Sequence, residues 1–415
     1  MHILLIPVGS HGDVHPFIGL GRALRERGHD VTLIVHAYFE PLVRKVGLDA
    51  IVVGVPEQFE QALQDRDLWH PRKGLHVVAR LTLQFVEQVY RAIQEEHRKG
   101  SVVIAACGLA LAARIAHERL GVPLATVHLQ PTCLWSVYQS PTFAMMPMPD
   151  WLPRICKRMF FRAADFECDR LFGPATNAFR RSLGLAPVRR LLHHWWHSPQ
   201  RVIGLFPDWY APPQPDWPVQ AVVTNFPLYD EQDVTAAPPE ALRFLDDGDP
   251  PIVFTPGSAN LHARRFFEAS VEACRILGRR GVLLTRHRAQ VPGNLPPEVC
   301  HYDFLPLGEL LPRAAALVHH GGIGTLAQGL AAATPQLVMP YGFDQPDNAL
   351  RLRRLGVGDS IKPRSYRGPR VARALNRLLK DPQVAGACRG TAARFDRDGS
   401  LELTCRYIEE LNEMT

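Results

Sequence analysis

A chain of 415 residues is too long for one ordinary core and suits two domains of roughly 200 residues each. Its 46% hydrophobic and 21% charged residues exclude a disordered or fibrous protein. The formal charge of +6 comes without a long Lys/Arg block, which argues against nucleic acid as a partner and leaves open attraction to an anionic membrane or an acidic acceptor.

The first element is an apolar strand over residues 2–8. It has neither the charged flank nor the long apolar stretch of a signal peptide, and no run of about 18 apolar residues follows anywhere in the chain. Eight cysteines without a CxxC pair or a zinc-like spacing read as small buried hydrophobes in a reducing compartment. These observations predict a cytoplasmic protein with no metal site. After the strand comes the turn Gly9-Ser10-His11-Gly12. An amphipathic helix with Phe17, Leu20 and Leu24 on one face follows, then Arg27-Gly28 and a second strand over residues 31–35.

Residues 140–162 carry Met145, Met146, Met148, Trp151, Met159, Phe160 and Phe161, with Arg154, Lys157, Arg158 and Arg162 at helical spacing. This reads as a partly buried helix with a solvated basic face, or as a mobile element that binds an acceptor or touches a membrane. Trp195, Trp196, His193, His194 and His197 suit either an acceptor cleft or the core. Residues 224–251, rich in Pro, Asp and Ala, read as an interdomain linker.

The opening pattern then repeats. A strand at residues 252–255 runs into Pro256-Gly257-Ser258, a helix over 264–277, Arg280-Gly281 and a strand at 282–284. Strand, glycine turn, helix, strand is the start of a doubly wound parallel sheet. Two copies roughly 250 residues apart predict two Rossmann-like domains. A last helix over 401–412 follows a break at 396–400. The predicted layout is therefore 1–228 for the first domain, 229–250 for the linker, 251–395 for the second domain, and 396–415 for a terminal helix able to pack back on the first.

The strongest chemical signal is His319-His320-Gly321-Gly322-Ile323-Gly324-Thr325-Leu326-Ala327-Gln328, after the apolar run 314–318. Glycines let the backbone approach a ligand closely, and a helix start offers amides with partial positive charge. This predicts a phosphate or diphosphate cradle, to which the Thr325 hydroxyl and an imidazole add donors. Further on, Asp344-Gln345 in the run Phe343-Asp344-Gln345-Pro346-Asp347-Asn348-Ala349 puts a carboxylate and an amide just past a strand end, where they can hold sugar hydroxyls.

Together these two motifs resemble the donor signature of family 1 glycosyltransferases. Phe304-Leu305-Pro306-Leu307 is similar to that family's base-binding turn, and Gly9-Ser10-His11-Gly12-Asp13-Val14-His15-Pro16-Phe17 to the acceptor-side motif of its bacterial members. Within the family the pattern resembles the catalytic B chain of rhamnolipid rhamnosyltransferases, through residues 9–19, Leu68-Trp69-His70-Pro71, residues 113–118, Trp196-His197-Ser198-Pro199-Gln200, Pro207-Asp208-Trp209, residues 211–214 and residues 321–324.

The resemblance implies the α/β GT-B fold, two Rossmann-like domains facing across a cleft. It also implies an inverting, metal-independent transfer of a hexose, rhamnose in first place, from a dTDP- or UDP-sugar to a lipophilic hydroxyl acceptor such as a hydroxyalkanoyl lipid. Flavonoid, sterol or macrolide aglycones are the alternative acceptors. It implies that Asp13 is the base, with His11 and His15 as rivals; the alternative for Asp13 is a surface carboxylate that caps the following helix. Ser258, His319, His320, Gly322, Gly324 and Thr325 are implied around the diphosphate, Phe304 and Leu305 at the nucleobase, and Asp344 and Gln345 at the sugar.

Two positions depart from the family pattern. Gln328 stands where many members have a ribose-gripping Glu; a neutral amide binds a diol less well, which favours a 2′-deoxy nucleotide. Ala333 stands where Gly is common, with only a local packing effect expected.

Other classes fit less well. A dehydrogenase would need GxGxxG spacing and an acid after Val35-His36. A nucleotide-sugar epimerase would need no large apolar acceptor side. An idle sugar-nucleotide-binding partner has no use for Asp13 and Asp344.

Overall fold

The computed structural model describes residues 1–144, 148–396, 399 and 401–414. Met145 and Met146 lie outside the described residues, as do Arg397, Asp398 and Ser400 from the break before the last helix. The chain forms two α/β units. One comprises Met1–Gly9, Asp13–Pro227 and Asp398–Thr415; the other comprises Ser10–Gly12 and Leu228–Arg397.

The first unit is built on seven parallel strands: β1 (His2–Ile6), β2 (Asp30–His36), β3 (Asp49–Val53), β4 (Val102–Cys107), β5 (Leu124–His128), β6 (Arg201–Gly204) and β7 (Ala221–Val223). They stand in the order β3-β2-β1-β4-β5-β6-β7, with Leu5 opposite Leu33 on one side and Ala105 on the other. Helices cover both faces of such a sheet, so its central strands are apolar throughout rather than alternating; Ile3, Leu4 and Leu5 are all fully buried.

The second unit has β8 (Ile252–Thr255), β9 (Gly281–Leu284), β10 (Val299–Tyr302), β11 (Ala316–His319), β12 (Gln336–Val338) and β13 (Gly358–Ser360). Their order is β10-β9-β8-β11-β12-β13. Each sheet reverses its winding once, between β1 and β4 in the first and between β8 and β11 in the second. At such a point neighbouring connections leave toward opposite faces, and a crevice opens beyond the carboxyl ends of the strands. Both units are thus Rossmann-like.

The helix Glu402–Glu409 belongs to the first unit. Glu409 accepts from Arg27 at 2.6 and 2.7 Å and lies 2.8 Å from His29. The Arg27 bond holds the Glu409 carboxyl down at about 2, and Thr404 donates to Thr224 at 2.9 Å.

Residues 229–250, expected as a linker, are instead part of the second unit. The helix Pro239–Asp246 buries Ala241 and Leu245 in a cluster with Val253, Val282 and Leu317. Asp230 also accepts from the Gly308 amide at 2.6 Å. Sequence composition registers the prolines and acids of this stretch but not the two apolar positions, one turn apart, that dock it.

Ala333 also differs from expectation. The Ile323–Ala331 helix ends in a turn in which Ala333 N–H donates to Leu330 O and Thr334 N–H to Gly329 O. Ala333 itself has φ +56°, a left-handed conformation that costs a Cβ-bearing residue about 1–2 kcal/mol. The difference is therefore one of backbone strain rather than packing. Ala333→Gly should raise the melting temperature of the second unit by about 2–4 °C, measured by differential scanning calorimetry; an unchanged or lower value would show that the turn is not strained.

Candidate functional site

Asp13 in the first unit, and Ser258 and the glycine turn at His320 in the second, lie at the winding reversals, whereas Phe304 and Leu305 follow the edge strand β10 and Asp344 and Gln345 follow β12. In the first unit, Asp13 lies in the opening turn of the helix His11–Glu26, where the amides favour a carboxylate. Its carboxylate rests against Gly9. A Cβ on Gly9 would come within 2.1 Å of Asp13 Oδ2, and Gly9 has φ +138°, so only glycine serves there. On the other side of the reversal β4 ends at Cys107. Burial pushes that thiol up to about 12, and the charge of Asp13 adds to the effect, which sets Asp13 beside the end of β4. His11 opens the same helix and His15 lies one turn on, both half-buried.

The aromatic and imidazole group around residue 196 is mostly core. Trp195 and Trp196 are buried in the unit's main cluster. Trp195 donates to Glu118 at 2.8 Å, and Trp196 Nε1 donates to His197 Nε2 at 3.2 Å. Because His197 Nε2 accepts, its proton is on Nδ1, which donates to His128 Nε2 at 3.1 Å. Burial holds both imidazoles far below the usual histidine range. His193 pairs with Asp165 at 3.0 Å, and His194 is exposed.

In the second unit the turn after β8 presents Ser258, exposed, next to Gly257. After β11 the His320 ring fills the space between two glycines. A Cβ on Gly257 would come within 2.6 Å of it, and one on Gly322 within 2.5 Å. Gly322 caps the Ile323–Ala331 helix, so Gly324 and Thr325 lie in its first turn with their amides directed out of the helix start. His320 is held at about 4 by burial and is neutral near pH 7. Its Nδ1 is buried with no hydrogen-bond partner among the described residues, an orphan that a bound oxygen would satisfy.

Two predicted ligand residues have other occupations. His319 is fully buried; its Nδ1 accepts from the Gly321 amide at 3.2 Å, so it shapes the turn and has no surface for a ligand. Gln345 is 2% exposed, and its Oε1 accepts from the Tyr341 and Gly342 amides at 2.7 and 3.3 Å. Only its Nε2 is left for a sugar. Asp344 is half-buried at the start of the Gln345–Arg354 helix. Gln328 donates from Nε2 to Leu228 O at 2.7 Å, leaving Oε1 as its ligand group. Leu305 is core, while Phe304 is half-buried with the Arg286 guanidinium 5.3 Å above its ring. Among the described residues no group of three or more His, Cys, Asp or Glu is placed to hold a metal ion.

Residues 3–139 match the glycosyltransferase family 28 N-terminal domain, and residues 281–398 match the erythromycin biosynthesis protein CIII-like C-terminal domain. The chain is a GT-B glycosyltransferase. It is 29% identical to O-mycaminosyltylonolide 6-deoxyallosyltransferase of Streptomyces fradiae, over all of this chain and 98% of that one. It is 26% identical to sterol 3-beta-glucosyltransferase of Pichia angusta, over 99% of this chain but 33% of that longer protein. The structure of spinosyn rhamnosyltransferase SpnG complexed with thymidine diphosphate shares the fold, with a TM-score of 0.68 at 17% identity over the full length of both chains.

Three residues of the glycosyltransferase's second unit escaped sequence reasoning. Asn348 Nδ2 donates to both Gly321 O, at 2.9 Å, and Asp344 Oδ2, at 2.7 Å, tying the glycine turn to the acid. Its i, i+4 spacing from Asp344 was a usable signal. Arg286 and His287 follow β9; His287 makes a hydrogen bond with the Ser258 backbone. Nothing in the local sequence marks them.

The buried imidazoles set an acid limit. His319 and His320, held at about 3 and about 4, regain a normal value near 6.5 on unfolding. The unfolded chain therefore binds more protons below that value, and stability falls as the pH drops from 6.5 toward 4. At pH 5 each contributes a loss of about 2 kcal/mol. The melting temperature should drop steeply between pH 7 and pH 5. A flat profile would mean that these rings are not buried neutral.

Proposed function

We propose that this glycosyltransferase carries a 6-deoxyhexose, rhamnose in first place, from a dTDP- or UDP-linked donor to a hydroxyl of a lipophilic acceptor of the hydroxyalkanoyl type, with inversion. The observation that carries the reading is the neutral His320, its Nδ1 without a partner among the described residues, at the glycine-walled start of the Ile323–Ala331 helix. Backbone amides, Ser258, Thr325 and His320 supply donors for a departing diphosphate without a cation.

In this reading Asp13 takes the proton of the acceptor hydroxyl. The oxygen forms a bond to the anomeric carbon as the bond to the diphosphate oxygen breaks on the opposite face. Asp344 and the Gln345 amide hold sugar hydroxyls, and Phe304 with Arg286 receives the base. Gln328, with Nε2 already given to Leu228, has one acceptor atom for the ribose, which favours dTDP over UDP. The names of two relatives, a 6-deoxyallosyltransferase and a rhamnosyltransferase seen with thymidine diphosphate, support a 6-deoxyhexose and a thymidine nucleotide.

The acceptor reading draws on the helix Arg154–Ser182. One face exposes Ile155, Met159 and Phe166 among the exposed Arg154, Arg158 and Arg162, and Trp151, just before the helix, is exposed as well. An apolar face flanked by arginines suits peripheral contact with an anionic membrane, where lipid acceptors reside. No helix among the described residues is long and apolar enough to cross one. A flat acceptor is the second reading, favoured by the sterol glucosyltransferase among the relatives.

Asp13→Asn should lower kcat by on the order of 10²–10⁴ while nucleotide affinity stays within twofold; near-normal turnover would move the base to His11 or His15. The acceptor is tested by kcat/KM across hydroxyalkanoates of increasing length with a sterol and a flavonol as comparators. Each added methylene is worth about 0.8 kcal/mol when buried, so kcat/KM should climb severalfold per step until the site is full. Chain-length independence with efficient sterol or flavonol transfer would establish the flat acceptor instead.

A further inference from the structure

The segment expected as a linker begins with three ties to the rest of the second unit. Leu228 O accepts from Gln328 Nε2 at 2.7 Å, and Asp230 Oδ2 accepts from the Gly308 amide at 2.6 Å. Glu231 lies 3.8 Å from Arg286, whose guanidinium stands over Phe304. Residues 228–231 therefore reach from the Ile323–Ala331 helix, past the turn after Phe304, to the group over the Phe304 ring. Glu231 has φ +64° there, a strained conformation for a residue with a Cβ.

At the middle tie, side-chain oxygens converge on a missing side chain. Outside its own stretch of chain, the three heavy atoms nearest to where a Gly308 Cβ would lie are all oxygens: Asp230 Oδ2 at 3.0 Å, Gln232 Oε1 at 3.5 Å and Gln328 Oε1 at 3.7 Å. These distances leave a seat for one oxygen-sized atom, within hydrogen-bond reach of Asp230. Gly308 and Gln232 are exposed. Gly308 is the second residue of the helix Leu307–Leu310 and its φ lies outside the left-handed region, so the backbone does not call for glycine, which a helix disfavours relative to alanine. A carboxylate that merely tied down the Gly308 amide would need neither the glycine nor the two amide oxygens beside it.

Carboxylate and amide oxygens accept from O–H and N–H groups and repel a phosphate. Gln328 is five residues into the Ile323–Ala331 helix, about 7.5 Å along its axis from the start, and Gly308 is four residues after Phe304. The oxygens thus lie between the phosphate cradle and the base-binding turn, where a nucleotide carries its pentose.

We propose that Asp230 is a specificity-determining residue for the donor: its carboxylate accepts the 3′-hydroxyl of the nucleotide's pentose in the space that Gly308 leaves. This deepens, and rests on, the nucleotide-sugar reading of the second unit, in which Gln328 Oε1 faces the ribose. The amides of Gly308 and Gln232 hold the carboxylate at 2.6 and 3.3 Å and leave it lone pairs for a ligand, so the acceptor is in place before the nucleotide arrives. The 3′-hydroxyl is common to dTDP and UDP. Asp230 therefore serves both, whereas Gln328 tells them apart.

Isothermal titration of wild type, Asp230→Asn and Gly308→Ala with dTDP, UDP and 3′-deoxy-dTDP, which lacks that hydroxyl, tests this. Wild type should bind dTDP at least tenfold tighter than 3′-deoxy-dTDP. Asp230→Asn keeps an oxygen for the Gly308 amide but loses the charge; it should weaken dTDP and UDP about tenfold each and 3′-deoxy-dTDP less than twofold. Gly308→Ala fills the seat while favouring the helix. It should weaken dTDP at least tenfold and 3′-deoxy-dTDP less than threefold, with a melting temperature equal to or above that of wild type. Equal wild-type affinities for dTDP and 3′-deoxy-dTDP would overturn the proposal. So would equal losses for the two nucleotides in Asp230→Asn, the result expected of a carboxylate that only braces the turn, or unchanged dTDP affinity in Gly308→Ala. In those cases tight dTDP or UDP binding by wild type leaves the nucleotide-sugar reading standing. If Asp230→Asn does not fold, Gly308→Ala decides. A wild type that binds neither dTDP nor UDP defeats the nucleotide-sugar reading and the proposal with it.

Discussion

The second unit is organised around the space occupied by one imidazole. His320 lies where Gly257 and Gly322 leave room for it, and a Cβ on either would overlap the ring. That close packing draws the turn after β8 and the turn after β11 against each other, on the two sides of the winding reversal. The Ile323–Ala331 helix consequently begins just beyond β11, and no side chain caps its first amides. Asn348 closes the arrangement from the third side by bonding Gly321 O and Asp344 together. Moving any of these parts changes the position of the others, so the proposed donor site and the local fold are a single constraint.

The first unit solves a similar problem with an acid. Gly9 gives way to the Asp13 carboxylate much as Gly257 gives way to His320, again at the reversal of a parallel sheet. Several sequence stretches that carried the family resemblance serve packing rather than chemistry. Glu118 accepts from Trp195 and pairs with Arg180. Ser198 donates to Leu124 O, and Gln200 accepts from the Leu124 amide. These bonds fix the segment around residues 195–200 to β5 and the helix preceding it. Resemblance in those stretches therefore reports a shared scaffold.

The sheets were legible because strand and helix periods differ and because glycine turns punctuate them: the helix predicted over 264–277 is Arg264–Leu277, and the strand predicted over 252–255 is Ile252–Thr255. The site was legible as a set of segments but less so as individual side chains. His319 and His320 are adjacent in sequence, yet strand alternation sends one into the core and leaves the other at the crevice. Gln345 reads as a ligand beside Asp344, but its carbonyl oxygen turns back to cap the loop over residues 341–342. Lys157 reads from its spacing as part of the basic stripe with Arg154, Arg158 and Arg162, but packing buries it. Ala333 looked conservative because composition carries no φ angle. In each case the missing information was a direction, which depends on contacts distant in the chain.

The central claim is that uncovered helix-start amides and a neutral imidazole hold a diphosphate without a cation. Isothermal titration with dTDP and with thymidine, both in EDTA, measures that directly. Most of the binding should come from the phosphates, so dTDP should bind at least about a hundredfold tighter than thymidine, a difference of about 2.7 kcal/mol, and adding Mg²⁺ should change its Kd by less than threefold. Equal affinities for dTDP and thymidine in EDTA, with tight dTDP binding restored only by Mg²⁺, would contradict the account.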